Sequence, residues 1–319
     1  MIVSSSVNLN NQSFGTLNSN NSQKVSQKSS DKSTNQFIIN TGIGLAGAVA
    51  GWEAEPVLKR FSKKPFSKLL IKLTNFKFND VQGGGYKEYI ENAIKQQNLE
   101  GKVKLVDLNE RNYRQVMSEL GFKPVKCRKL NKIIAHILRL GSHAKDSFMR
   151  TVYGTNAFFS PKKNAVVCNF EKFGAPVFHE LSHKLNSISK NPFLRMLSKV
   201  RSPLAVFAPL GISACAVFTD KEKNSEKQDK SVRGFVKNHC GILTGLATLP
   251  LVTEECIANI RGTKIAKQAG VSGEMLAKVV KAHKFSAISY IAGIPIVVFA
   301  SWGANKIRDL ICSQKIQDK

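Results

Sequence analysis

Acidic residues are scarce in this chain. Twenty-two Asp and Glu face 48 Lys and Arg among 319 residues, for a formal charge of +26 and an isoelectric point near 9.9. That imbalance favours an anionic partner: nucleic acid, a membrane surface or an acidic substrate. Closely paired cysteines are missing too. The six (127, 168, 215, 240, 256 and 312) are widely spread with no CxxC, which argues against a disulfide scaffold. Cys215, Cys240 and Cys312 lie in or beside apolar stretches and read as small buried hydrophobes; only Cys127 and Cys168 are candidates to pair. A phosphate loop is absent: Gln82-Gly83-Gly84-Gly85 lacks the strand–loop–helix context and the Lys, and reads as a flexible turn. The basic cluster Lys123, Lys126, Arg128, Lys129 and Lys132 has no interleaved aromatics, so a solvated or lipid-facing surface is expected there rather than specific nucleic-acid binding. No internal repeat occurs. The start of the chain also lacks the charged and apolar regions of a signal peptide. Residues 4–36 are instead rich in Ser, Asn and Gln, a composition expected to stay disordered because it cannot offset its ordering entropy.

What is present is apolar sequence in four blocks free of Lys, Arg, Asp and Glu: 37–52, 203–219, about 238–253, and 285–305. A helix crossing the hydrocarbon needs roughly 20 apolar residues. The fourth block meets that length, the second is acceptable, and the first and third are short. Small residues in all four suit close helix packing in lipid. A soluble bundle with four buried helices is the alternative. Ala48-Val49-Ala50 resembles a cleavage site, but the long polar lead-in favours an uncleaved anchor. Between the first two blocks, residues 87–97 and 130–140 have helical periodicity, while 103–108 and 165–168 read as short strands.

The chemistry concentrates in His179-Glu180-Leu181-Ser182-His183. On a helix, positions four apart share a face, so both imidazoles can reach one ion. Glu180 then stands beside the metal-bound water as general base. Pro176 suits an early helical position, and Val177, Phe178, Leu181, Leu185 and Ile188 supply an apolar face. Catalytic zinc needs a third protein ligand. Glu254 and Glu255 close an apolar block, where an uncompensated carboxylate would be costly and a cation would relieve it. Asn259, one turn beyond Glu255, can offer an acceptor to a ligand histidine from the outer shell; the matching position for Glu254 is Ala258, which cannot. Glu255 is therefore the expected third ligand, with Glu254 in reserve.

Thr155-Asn156-Ala157-Phe158, the strand Ala165-Val166-Val167, the HELSH motif and Glu255-x-x-Ala258-Asn259 follow one another in the order of the HtpX-type and CAAX-prenyl integral-membrane gluzincin peptidases, which the chain resembles over roughly residues 152–262. That resemblance implies His179, His183 and Glu255 as zinc ligands, Glu180 as base, and Asn156, Ala157 and Phe158 as a substrate-binding edge. Two features depart from the family: the interval between N-A-F and HExxH is short, and Asn259 replaces an Asp.

The fold expected is mainly α with a small sheet (α+β), a zincin-like catalytic region plus about four apolar, membrane-spanning helices. Its parts are a polar segment (1–36), an anchor (37–52), the catalytic region (53–201), an apolar hairpin (202–253), a third-ligand helix (254–284), a membrane helix (285–305) and a basic tail (306–319). The expected activity is zinc-dependent endoproteolysis of protein or peptide substrates by a multi-pass inner or plasma membrane protein. Because 59–64, 195–201 and 281–284 put positive charge beside the site, the cytoplasmic side is favoured. The rival readings are a catalytically silent membrane scaffold with structural zinc, and a basic soluble protein that binds nucleic acid.

Overall fold

Short runs of β-branched and aromatic residues build a three-stranded sheet. β1 (Lys104–Asp107) lies parallel to β3 (Ala165–Cys168), and β2 (Ala157–Ser160) runs antiparallel to β3, so that among the described residues β2 is an edge strand. The structure, a computed structural model, describes residues 65–121, 143–219 and 231–317 and most of 46–63. The polar lead-in, most of the first apolar block, the periodic segment 130–140, the basic cluster at 123–132 and Cys127 lie outside the described residues.

β3 is buried on both faces, as a central strand's alternating side chains require. Val166 and Cys168 pack with Phe178 and Leu181 on one face. Ala165 and Val167 pack with Leu108, Phe148 and Val152 on the other. The first face is covered by α1 (Lys87–Gln96) through Ile90, Ala93 and Ile94, and the second by α2 (Tyr113–Glu119) and α3 (His143–Val152). Cys168 is a free thiol whose Sγ donates to the Phe173 carbonyl at 2.6 Å. Its burial pushes the pKa far above the usual thiol range, so it behaves as a core residue.

The chain then enters α4 (Val177–Ser187), with Pro176 at its N-cap and nine of its eleven residues buried. Three long helices follow. α5 (Pro192–Phe218) starts on an Asn191 cap and bends by 51° between Arg201 and Pro203. A proline there removes one helical hydrogen bond and its ring crowds the preceding turn. The short α6 (Val232–Asn238) leads into α7 (Cys240–Gln268), and α8 (Gly273–Gln317) completes the bundle.

α7 and the 273–312 portion of α8 are long and apolar enough to cross a membrane; α5 joins them only if its bent halves form one span. Just 11% of the most apolar window of α8 is buried, and Ile291, Phe299 and Trp302 stand exposed. Contiguous apolar surface of this kind suits lipid rather than water. Of the four expected spans, the third and fourth are thus long and apolar enough, the second qualifies only as a bent pair, and most of the first lies outside the described residues. Boundaries expected at 253/254 and 284/285 fall inside α7 and α8. A helix need not break where its surroundings change from lipid to protein.

Candidate metal centre

α4 carries His179, Glu180 and His183 on its buried side, against α7, which carries Glu254 and Glu255. The approach is close enough to require a glycine: a Cβ on Gly262 would lie 2.9 Å from both the His179 nitrogen and the Phe178 carbonyl oxygen. The two imidazole Nε2 atoms face each other at 2.9 Å. Glu255 Oε2 is 3.1 Å from His179 Nε2, and Glu255 Oε1 is 3.6 Å from His183 Nε2. Glu254 lies behind His183, with its carboxylate 2.8 Å from Nδ1. That contact fixes Nδ1–H as the donor and leaves the His183 Nε2 lone pair aimed at His179 and Glu255.

Arg201, from the bend of α5, reaches both acids: Nη1 lies 2.7 Å from Glu254 Oε2 and 2.6 Å from Glu255 Oε1. Asn186 donates to Glu254 at 3.0 Å and accepts from Arg261 at 3.0 Å. Arg261 thus braces the outer side of α4. Asn259 donates to the Glu255 carbonyl (2.8 Å) and to Ser286 (3.4 Å), not to a histidine. The carboxylate behind His183 is Glu254. Burial raises the Glu180 pKa above the ordinary carboxylate range, against the pull of His179 and His183. Burial opposes charge on His179, but the adjoining Glu255 carboxylate, with Glu180 and Glu254, outweighs it and raises that pKa.

His179, Glu180, His183, Arg201, Glu255 and Asn259 line one cleft of about 360 Å³. Asn156, Ala157 and Phe158 also line it, along β2, and Asn156 Nδ2 donates to Thr151 at 3.4 Å. His283 and Tyr290 of α8 enter the cleft as well; sequence reasoning did not single them out, and the available signal was a lone His or Tyr in or beside an apolar block. The Thr263 hydroxyl donates to the Asn259 carbonyl (3.0 Å) and accepts from His283 Nδ1 (2.8 Å). Neutral His283 therefore turns its Nε2 lone pair elsewhere, and that buried atom has no hydrogen-bond partner.

The donor set fits a metal. A tetrahedral zinc ion at its usual bond lengths holds its nitrogen and oxygen donors about 3.3–3.4 Å apart, close to the 2.9, 3.1 and 3.6 Å separations here. Glu255 Oε2 is buried, and its 3.1 Å approach to His179 Nε2 lacks good hydrogen-bond geometry, a position that a cation would satisfy. His179, Glu180 and His183, and separately His183, Glu254 and Glu255, converge closely enough to hold an ion. No family model, curated protein or solved structure matches the chain.

Proposed function

We propose that the protein is a membrane-bound, zinc-dependent endopeptidase. The observation that carries this reading is the convergence of His179, His183 and Glu255 in one cleft with Glu180, beside the edge strand β2. The order of motifs shared with HtpX-type and CAAX-prenyl gluzincins supports it, as does a zincin-like placing of the metal helix next to a small sheet. His179, His183 and Glu255 would hold the metal. Zinc in that place would polarise the scissile carbonyl and lower the pKa of a water toward about 7. Glu180, kept basic by its burial, takes the water's proton and delivers it to the leaving amine. Tyr290, whose hydroxyl reaches the Glu255 carboxylate from the cleft wall, would help to orient that ligand. Glu254 holds the His183 tautomer, and an extended substrate pairs with β2 as an added strand. Charge around 59–64, 195–201 and 281–284 favours a cytoplasmic site in a multi-pass inner or plasma membrane.

A second reading rests on Arg201. Its guanidinium already bonds both Glu254 and Glu255, so the cluster can serve as a buried ion network in a catalytically silent scaffold. Detergent-purified full-length protein distinguishes the two by its zinc content and its hydrolysis of an unfolded protein substrate. The peptidase reading expects one zinc per chain and cleavage that Glu180→Gln lowers by about 10²–10⁴ while zinc stays bound. Equal activity in that variant rules the mechanism out.

A further inference from the structure

One end of the cleft is built differently from the metal end. Phe76 stacks on Phe285 with ring centroids 3.8 Å apart, and Phe78 meets Phe173 at 5.2 Å. These rings come from three segments far apart in sequence, and with Val81 and Ala282 they form a separate apolar cluster. The glycine run seats it. Gly83 bridges Phe173, its N–H donating to the Lys172 carbonyl at 3.0 Å. A Cβ on Gly84 would lie 3.0 Å from the Glu171 carbonyl oxygen. The run is thus a fitted joint that ties residues 76–81 to the loop entering the metal helix. The charges at the rim, Asp80 and Lys281, pair with each other at 2.5 Å.

We infer that this aromatic wall is a specificity pocket that takes a bulky apolar side chain of an extended peptide lying along β2. The inference rests on the peptidase reading and adds the substrate class. A strand paired to β2 turns every second side chain to the same face, so one residue near the scissile bond faces the rings while its neighbours point away. Aromatic and large aliphatic groups gain by leaving water there, and rings in the pocket meet the wall edge-on or offset. A charged side chain would lose its hydration without a partner, because the nearby charges already neutralise each other.

The test uses full-length, zinc-loaded protein in detergent and fluorescein-labelled decapeptides that differ at one guest position (Phe, Leu, Ala, Asp or Lys). Anisotropy with the Glu180→Gln protein reads binding, and mass spectrometry with the wild type reads cleavage. Burying an apolar ring predicts that the Phe guest exceeds Ala by about 10–100-fold, with Asp and Lys below Ala. Ala282→Phe, which fills the pocket, should shrink the Phe-over-Ala ratio to under about threefold. Phe285→Leu, a milder change, should give an intermediate ratio with only a small drop in melting temperature from the lost stacking. Cleavage that ignores the guest overturns the pocket and leaves the peptidase. Guest-selective binding with no cleavage by wild type overturns the peptidase and leaves the pocket. Neither binding nor cleavage overturns both.

Discussion

Two buried charge clusters flank the apolar part of α7, and they are built with opposite imbalance. At the candidate metal centre three carboxylates, from Glu180, Glu254 and Glu255, share one guanidinium, from Arg201, and two histidines. About 20 Å away along the helix, taking 1.5 Å per residue from Cys240 to Glu254, the excess is cationic. Lys237 Nζ bonds Asp309 (2.7 Å) and the Thr219 carbonyl (3.1 Å), Arg308 bonds the same Asp309 (2.9 Å), and Lys59 pairs with the buried Glu55 (2.7 Å). The second cluster bonds Lys237 and Arg308 to Asp309 and, among the described residues, does not bring three His or carboxylate ligand atoms to one place. The first does, at the Nε2 atoms and Glu255. Burial alone does not mark a metal site; an unbalanced set of acceptors does.

The comparison can be broken by removing the balancing cation on one side. Arg201→Met leaves Glu254 and Glu255 facing each other, and breaking such a buried pair costs about 3–5 kcal/mol. Thermal melts in detergent should show that loss in metal-free protein and a large recovery on adding zinc. A variant melting identically with and without zinc would refute the idea that the acids await a cation. The matching change at the other end, Asp309→Asn, strands Lys237 and should cost about 2–3 kcal/mol with no recovery on zinc addition. Gly262→Ala sharpens the comparison by geometry. The added methyl meets the α4 backbone, so overpacking of about 1–3 kcal/mol should come with weaker zinc binding by titration, while Gly211→Ala, with open space at its Cβ, should leave zinc affinity unchanged.

The smallest effect concerns pH. The Glu180 carboxyl holds its proton above the ordinary glutamate value near 4.5, so between that value and its raised pKa the folded metal-free state binds more protons than the unfolded one. Stability from this group is complete below pH 4.5 and is lost as pH rises through the folded pKa. Glu180→Gln, which stays neutral, should therefore melt above the wild type in metal-free protein, with a gap that widens from pH 4 to pH 8. A constant gap would remove the pH argument.

How much of this was legible beforehand follows from how local each signal is. HELSH is contiguous, so the four-residue spacing of His179 and His183 places both rings without knowledge of the rest of the fold. Strand β3 and helix α1 were legible because their periodicity lies within ten residues. Glu255 was legible as an acid closing an apolar block. The partner behind His183 was not: neighbouring positions on α7 differ by about 100° of rotation, and only the packing of α4 shows that Glu254 turns toward Nδ1. Asn259 shares a face with Glu255, but its amide bonds its own helix. Arg201 stands 53 residues from Glu254 in sequence and reads alone as an interfacial charge; the bend at Pro203 brings it in. The aromatic wall has no period, because three separate segments make it.

Strand β2 has a further consequence. Among the described residues its unpaired edge lies along a cleft beside α4, a place that suits an extended chain better than a folded domain. Only a chain already stripped of its own hydrogen bonds is thin enough to enter and find partners there. Under the peptidase reading, that edge makes loss of structure the admission test: an intact protein passes by, and the same protein, once locally unravelled, is engaged.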